Sequence, residues 1–256
     1  MTIEIRPGVE RPDWSVVTSA AARQALLARD RRRLGSIETW PVGLTASQDL
    51  VWRTTLELFA RLGRPPQTVE IALEAKLAEA AVRQLVCELR SHDLLGLDDN
   101  AAAIGYIYPL TARRTEHRIT LNRHALHALC AVDALGVGAM YRADVVIESS
   151  CRSCGADITV RTAQDGTALA AAQPAGVMVW YDLAYDRSAA ASCCPSIAFF
   201  CGAQHLRQWR DAQGAKRVGT PLTLDEAFEV GRALFGPVLR MSTEAYAAKG
   251  GRDRQI

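Results

Sequence analysis

The apolar residues change their period along this chain, and that change limits its fold more than any other feature. Over residues 49–62 the apolar positions Leu50, Val51, Leu56, Leu58, Phe59 and Leu62 recur at helical spacing, and Gly63, Pro65 and Pro66 stop the pattern. Helical spacing returns over residues 69–76 and 78–91. Residues 104–110 and 117–121 then read as two strands joined by a charged turn around Arg113 and Arg114. An Ala- and Leu-rich helix is predicted over residues 124–140, loosened at its end by Gly136 and Gly138. After it the period becomes two. Strands are predicted at 143–149, 156–161, 176–182 and 196–201, with Asp165-Gly166 as a turn signal. Two helices close the pattern: residues 204–212, and one starting at Thr223, where Glu226 completes a capping box, running toward Met241 with a kink at Gly236-Pro237.

This order predicts an α+β fold. A winged-helix-like unit of three helices and a hairpin occupies residues 48–122, and a mixed α/β core with antiparallel strands occupies residues 123–245. Residues 1–47, framed by Pro7, Pro12 and Pro41, carry a helix-like stretch at 19–34 that ends in Arg29, Arg31, Arg32 and Arg33. They read as a solvated extension, dispensable for chemistry, so that a chain starting near Ser47 is expected to fold. Residues 246–256 read as a flexible tail.

Composition narrows the function. A chain of 256 residues can bury a core without disulfides, although 42 of the residues behind its 49% hydrophobic content are alanine. The 23% charged fraction excludes a disordered or fibrous chain. Thirty basic against 28 acidic residues leave +2, too little to hold nucleic acid by charge. The helix at 78–91 also balances Arg83 and Arg90 against Glu79 and Glu88, so no nucleic-acid partner is expected. The start carries Glu4, Arg6, Glu10 and Arg11 and no apolar leader. The most apolar later stretch, residues 168–180, is broken by Gln173 and Pro174, so neither export nor a membrane span is expected. Seven cysteines, an odd number, read as reduced thiols of a cytoplasmic protein.

Cys130 and Asp133 lie three residues apart on one face of the apolar helix. A carboxyl among apolar neighbours is either paired or holds its proton near neutrality, which would set a proton donor beside a thiol. The alternative is a packing cysteine and an aspartate bound to a backbone amide or an arginine. Cys193 and Cys194 precede the apolar run Ile197-Ala198-Phe199-Phe200; adjacent residues of extended chain face opposite ways, so one of the two can face Cys130. Cys151-Arg152-Ser153-Cys154 has zinc-knuckle spacing, but Cys193-Cys194 lacks the spacing of a second pair. Cys87 is expected in core packing.

Several of these stretches together resemble the organomercurial (alkylmercury) lyase family. They are Cys130-Ala131-Val132-Asp133-Ala134-Leu135, Ser149-Ser150-Cys151, Pro174-Ala175-Gly176, Cys194 ahead of Phe199-Phe200, Trp209, and Glu226-Ala227-Phe228, in matching order over roughly residues 49–241. The resemblance implies a cofactor-free enzyme that breaks a carbon–mercury bond by protonation. The family's helix cysteine falls on Cys130 and its aspartate on Asp133. Its second cysteine falls on Cys194 by gapless counting from Phe199-Phe200, whereas matching cysteine doublets would select Cys193. Its structural cysteine falls on Cys151, and Cys154 has no counterpart. Cys130, Cys194 and Asp133 are thus implied to act on R-Hg-X and to hold the Hg(II) product until cellular thiols remove it, with a mercury(II) reductase as a partner that accepts the ion. Leu129, Pro195 and Ser196 depart from the family pattern, as does the N-terminal extension. Two other readings compete: a metal-responsive winged-helix DNA-binding regulator, and a thiol metal-binding protein without catalysis in which Cys151, Cys154 and another thiol hold zinc. Neither accounts for an aspartate beside Cys130.

Overall fold

A computed structural model of the chain describes residues 2–33, 43–98, 103–214 and 217–241. It opens with a hairpin, β1 (Ile3–Arg6) and β2 (Val9–Arg11), followed by α1 (Ala20–Arg33). Three helices come next, α2 (Ala46–Leu62), α3 (Thr68–Ala75) and α4 (Glu79–Ser91). Five strands follow: β3 (Leu95–Leu97), β4 (Ile104–Ile107), β5 (Leu110–Thr111), β6 (Arg118–Leu121) and β7 (His124–Ala128). The apolar helix α5 (Ala131–Tyr141) leads into β8 (Val146–Ser150), β9 (Asp157–Ala163), β10 (Ala168–Gln173) and β11 (Met178–Asp182). The last elements are β12 (Ala198–Phe200), α6 (Ala203–Gln213), β13 (Gly219–Thr223) and α7 (Leu224–Phe235). The fold is mixed α/β with antiparallel sheets.

Local chemistry sets the helix ends. Thr45 and Gln48 form a reciprocal capping box at the start of α2, and Gly63, at φ 68°, closes it in the left-handed region. Thr223 and Glu226 do the same at the start of α7. The large sheet has eight strands in the order β10-β9-β8-β6-β7-β5-β4-β3. Strands on both sides of residue 122 share it: Ile119 pairs with Leu126 on one side and with Ile147 on the other. A second sheet, β12-β11-β13, has three strands. Helix α5 packs against strands of both sheets and lies along α7.

The α5–α7 crossing is close because glycines meet there. A Cβ on Gly136 would stand 2.7 Å from the Gly231 carbonyl oxygen and 2.4 Å from the Phe235 ring, and one on Gly231 would stand 2.9 Å from the Gly136 nitrogen. Gly136 is therefore a packing residue, where its sequence context suggested a loosened helix end.

Other expectations are corrected. The helix predicted over 124–140 is a strand and a helix: Leu126 and Ala128 are buried on one face of β7, and Cys130 caps the helix that follows. Alanine and leucine suit either period, so alternation over only five residues was hidden. Strand β10 has no β-branched or aromatic residue and β13 is interrupted by Pro221, so neither stands out in the sequence pattern. Helix α7 stops at Phe235, and Gly236-Pro237 terminates rather than kinks it. Cys87 is exposed, one position off the buried face of α4 made by Val82, Val86 and Leu89. The flexible tail expected at 246–256 lies outside the described residues.

The largest correction concerns the solvated extension. Ala22, Ala25 and Leu26 of α1 are fully buried, and α1 packs on α7. The Asp13 amide donates to the Ala233 carbonyl over 2.9 Å, and the Thr18 and Ser19 amides donate to Glu229. Arg6 forms a buried ion pair with Asp49 at 2.7 Å. Its short apolar runs between charges hid a core-facing stripe. Leu26→Ala is therefore expected to lower unfolding free energy by about 2–5 kcal/mol in urea titration; a loss below about 0.5 kcal/mol, the scale of a surface change, would make α1 peripheral.

Candidate active site

Cys130 is the N-cap of α5, with extended backbone, and its Sγ accepts from the Asp133 amide at 3.4 Å. One turn of helix therefore fixes the thiol and the carboxyl together. The partner segment is tied to the same turn, since the Ala131 amide donates to the Ile197 carbonyl over 3.1 Å. Cys194 opens a single 3-10 turn, Cys194–Ser196, with Pro195 at its second position. Its thiol donates to Asp133 Oδ2 at 3.9 Å. One ligand atom from each of Cys130, Asp133 and Cys194 lies within 4.8 Å of the others, and the three residues are only 1%, 5% and 5% exposed.

The structure thus brings together Cys130, Asp133 and Cys194, three residues singled out in the sequence. Cys193 also lines the cavity, but its thiol turns to the Ala189 carbonyl at 3.7 Å. The two neighbours diverge for a different reason from the one inferred: the backbone at Cys193 is helical rather than extended. Cys151 and Cys154 do not line this cavity. They sit in a separate group with Cys201 and His205.

Burial dominates the electrostatics of the Cys130 thiol. It pushes Cys130 up to about 11, although hydrogen bonds from Cys194 and from the Asp133 amide at the helix N-terminus act the other way. Cys194 is raised well above the ordinary thiol value, foremost by its hydrogen bond with Cys130 and also by burial. Both sulfurs are held as thiols at neutral pH.

Residues not foreseen from sequence complete the cavity. Tyr108 donates to Asp93 Oδ1 at 3.0 Å and accepts from the Ala190 amide at 2.7 Å. Asp93 also accepts from the Ala189 amide at 3.0 Å. This network anchors the backbone just ahead of Cys193 and Cys194. Burial raises the Tyr108 hydroxyl far above its ordinary range, so it stays a neutral donor. Trp52, Tyr181, Leu234 and Phe235 supply apolar wall, and Arg11 and Arg29 reach the cavity from the N-terminal segment. No spacing rule links Asp93 or Arg11 to Cys130, because tertiary packing alone brings them there.

A site with two buried thiols and a carboxyl invites comparison with known proteins. The family model described as alkylmercury lyase matches residues 110–236. An alkylmercury lyase of Staphylococcus epidermidis is 28% identical over 199 residues, covering 77% of this chain and 87% of that protein. One of Bacillus cereus is 27% identical over 169 residues, covering 66% of this chain and 74% of that protein. A solved structure described as the mercury-bound form of MerB2 superposes with a TM-score of 0.66 at 21% identity, covering 86% of this chain and all of that one, and establishes a shared fold.

The raised Cys130 value has a direct consequence. Because the thiolate is the nucleophile, alkylation of Cys130 by iodoacetamide should accelerate about tenfold per pH unit between about pH 7 and 10, without levelling off there. Peptide mass spectrometry of timed samples measures it. A plateau near pH 8 would mean that the helix N-terminus outweighs burial.

Proposed function

The chain belongs to the alkylmercury lyase family, and from that premise we propose that it cleaves R-Hg-X by protonolysis at Cys130, Cys194 and Asp133. The observation that carries this reading is the Cys194 thiol donating to Asp133 beside a second thiol on the same helix turn. Mercury(II) is soft and favours thiolate ligands, and a cavity that also supplies a proton can do more than store it.

The steps balance as follows. Cys130, held at the N-terminus of α5, loses its proton to the departing ligand; a Cys130 S–Hg bond forms, the Hg–X bond breaks, and HX leaves. Cys194 then passes its proton to Asp133 Oδ2 and its sulfur joins the metal. Two sulfur ligands push electron density onto the carbon. Asp133 returns the proton to that carbon, the C–Hg electron pair becomes the C–H bond, and R-H departs. Hg(II) stays on the two sulfurs until two free thiols take it and reprotonate the cysteines. Burial of the two thiols and the carboxyl weakens the screening of a charge forming on the metal–carbon bond, and Trp52, Tyr181 and Phe235 offer an apolar wall for the organic group.

No described helix is long and apolar enough to cross a membrane. The proposed reaction belongs in the cytoplasm, where the reduced thiol pool removes the ion, and a mercury(II) reductase is the partner that would consume it. No resident cofactor enters these steps. Helices α2, α3 and α4 are read as the helical part of the winged-helix-like unit, with residues 123–245 as the catalytic core; the hairpin expected from residues 104–110 and 117–121 does not form, because β4 pairs with β3 and β5 while β6 pairs with β7 and β8.

Asp133→Asn keeps the size and polarity of the side chain but cannot shuttle a proton. It should still bind phenylmercury stoichiometrically, while single-turnover benzene formation falls about a hundredfold to ten-thousandfold. Near-normal turnover in the folded variant would assign the proton to another group. Cys194→Ser should abolish benzene release and Cys193→Ser retain most of it, as gas chromatography of the headspace would show; the reverse order would exchange the roles of the two cysteines.

A further inference from the structure

A second group of soft ligands lies outside the cavity, and the reaction proposed above makes no use of it. Cys151 directly follows β8 and opens the turn, Cys154 lies three residues on, Cys201 follows β12, and His205 sits in the first turn of α6. One ligand atom from each of the four lies within 4.8 Å of all the others. The Cys154 and Cys201 sulfurs are 3.7 Å apart, Cys151 Sγ is 3.7 Å from His205 Nδ1, and Cys201 Sγ is 2.8 Å from the same nitrogen.

We propose that Cys151, Cys154, Cys201 and His205 form a structural zinc site of the Cys3His type. Two of the three distances already match that ion, and the 2.8 Å contact between Cys201 and His205 must open by about 0.8 Å to admit it. Sulfurs about 2.3 Å from a tetrahedral zinc stand about 3.8 Å apart, and a sulfur and an imidazole nitrogen about 3.6 Å apart. A disulfide would instead need a sulfur–sulfur separation of about 2.05 Å. Three thiolates and one imidazole are a closed set that suits zinc over magnesium or calcium, which take oxygen ligands, and leaves no open position for catalysis.

The backbone is arranged for such an ion. Cys151-Arg152-Ser153-Cys154 is followed by Gly155, whose φ of +73° lets the chain turn back beneath the ligands. The Gly155 amide donates to the Cys151 carbonyl over 2.8 Å, and the amides of Cys201, Cys154 and Ser153 donate to the Cys151 sulfur. These are the hydrogen bonds that orient and stabilise a ligating thiolate. The other half, Cys201-Gly202-Ala203-Gln204-His205, has ligand spacing of its own, with the two ends separated by one turn of chain at the start of α6. Each half was short of a complete site in the sequence because 46 residues separate Cys154 from Cys201. Contact between β8 and β12, which belong to different sheets, closes the gap.

The location assigns the ion a task. The Arg152 amide donates to the Phe199 carbonyl over 3.0 Å, and the Arg152 side chain donates to the Pro195 carbonyl at 2.9 Å while pairing with Glu116. Zinc would cross-link the turn between β8 and β9 to the far end of the segment that begins at Cys194. Binding one ion releases the three thiol protons and needs no oxidant or reductant.

The test is metal analysis of the full chain, purified with a reductant from zinc-supplemented medium and dialysed against metal-free buffer. One zinc per chain is expected in the wild type and in Cys130→Ala, and background zinc in Cys154→Ser and His205→Ala. Cobalt(II) added to zinc-stripped protein should give the intense visible bands of a tetrahedral thiolate site, lost when zinc is returned. If the variants are insoluble, the cobalt spectrum of the wild type decides. Folded, reduced wild type that retains no zinc and gives only the weak spectrum of octahedral cobalt would overturn the proposal, as would zinc that disappears in Cys130→Ala. None of these readouts depends on carbon–mercury cleavage, so failure here leaves the lyase reading untouched, and failure of that reading leaves the zinc site standing.

Discussion

The contact between Gly136 on α5 and Gly231 on α7 is the constraint on which the rest of the molecule depends. Backbone meets backbone there, so neither helix can slide or roll without opening a gap or driving a side chain into a carbonyl. The crossing fixes where the N-terminus of α5 points, and that end carries Cys130 and Asp133. It also brings Leu234 and Phe235 of α7 to the wall of the same cavity. On the outer side, α7 receives α1, whose buried alanines again permit close packing. The N-terminal segment therefore belongs to the same body as the site, and it contributes Arg11 and Arg29 to the lining.

Burial gives the site its chemical character. Two thiols in water would each ionise near pH 8.5, whereas here both are held protonated. Stored protons are useful if the reaction consumes one. Cys194 is hydrogen-bonded to the carboxyl that the proposed reaction uses as its proton carrier, so in that reaction capture of the metal by the second sulfur would be coupled to release of the proton toward the carbon. The neutral tyrosine at 108 and the carboxyl of Asp93 hold the approaching backbone of residues 189 and 190, which keeps that sulfur in range.

The sequence made some of this legible and hid the rest for identifiable reasons. Helices α2, α3, α6 and α7 were readable because apolar spacing coincides with capping boxes, prolines or glycine at their ends, and α4, between Ala78 and His92, by its apolar spacing alone. Cys130 and Asp133 were readable as a local pair, since a helical turn sets their spacing. Cys194 was within reach only through its offset from Phe199-Phe200. What failed was whatever depends on packing between distant segments. The stripe of Ala22, Ala25 and Leu26 looks solvated without α7 to cover it, and Gly136 looks like a flaw without Gly231 opposite. Alanine, common here, is compatible with helix, strand and close packing alike, so β7 and β10 left little trace in the pattern. His205 became a candidate ligand only once β12 and α6 were set beside the β8–β9 turn.

The central claim is that this chain breaks a carbon–mercury bond with its own thiols and carboxyl. The most direct measurement mixes reduced, purified protein with one equivalent of phenylmercury, without other additives, and follows benzene in the headspace together with mercury on the protein. The account predicts one benzene per chain, with inorganic Hg(II) left on the protein until free thiol is added. Intact phenylmercury held on the protein with no benzene released would contradict it and leave a binding protein in place of a lyase.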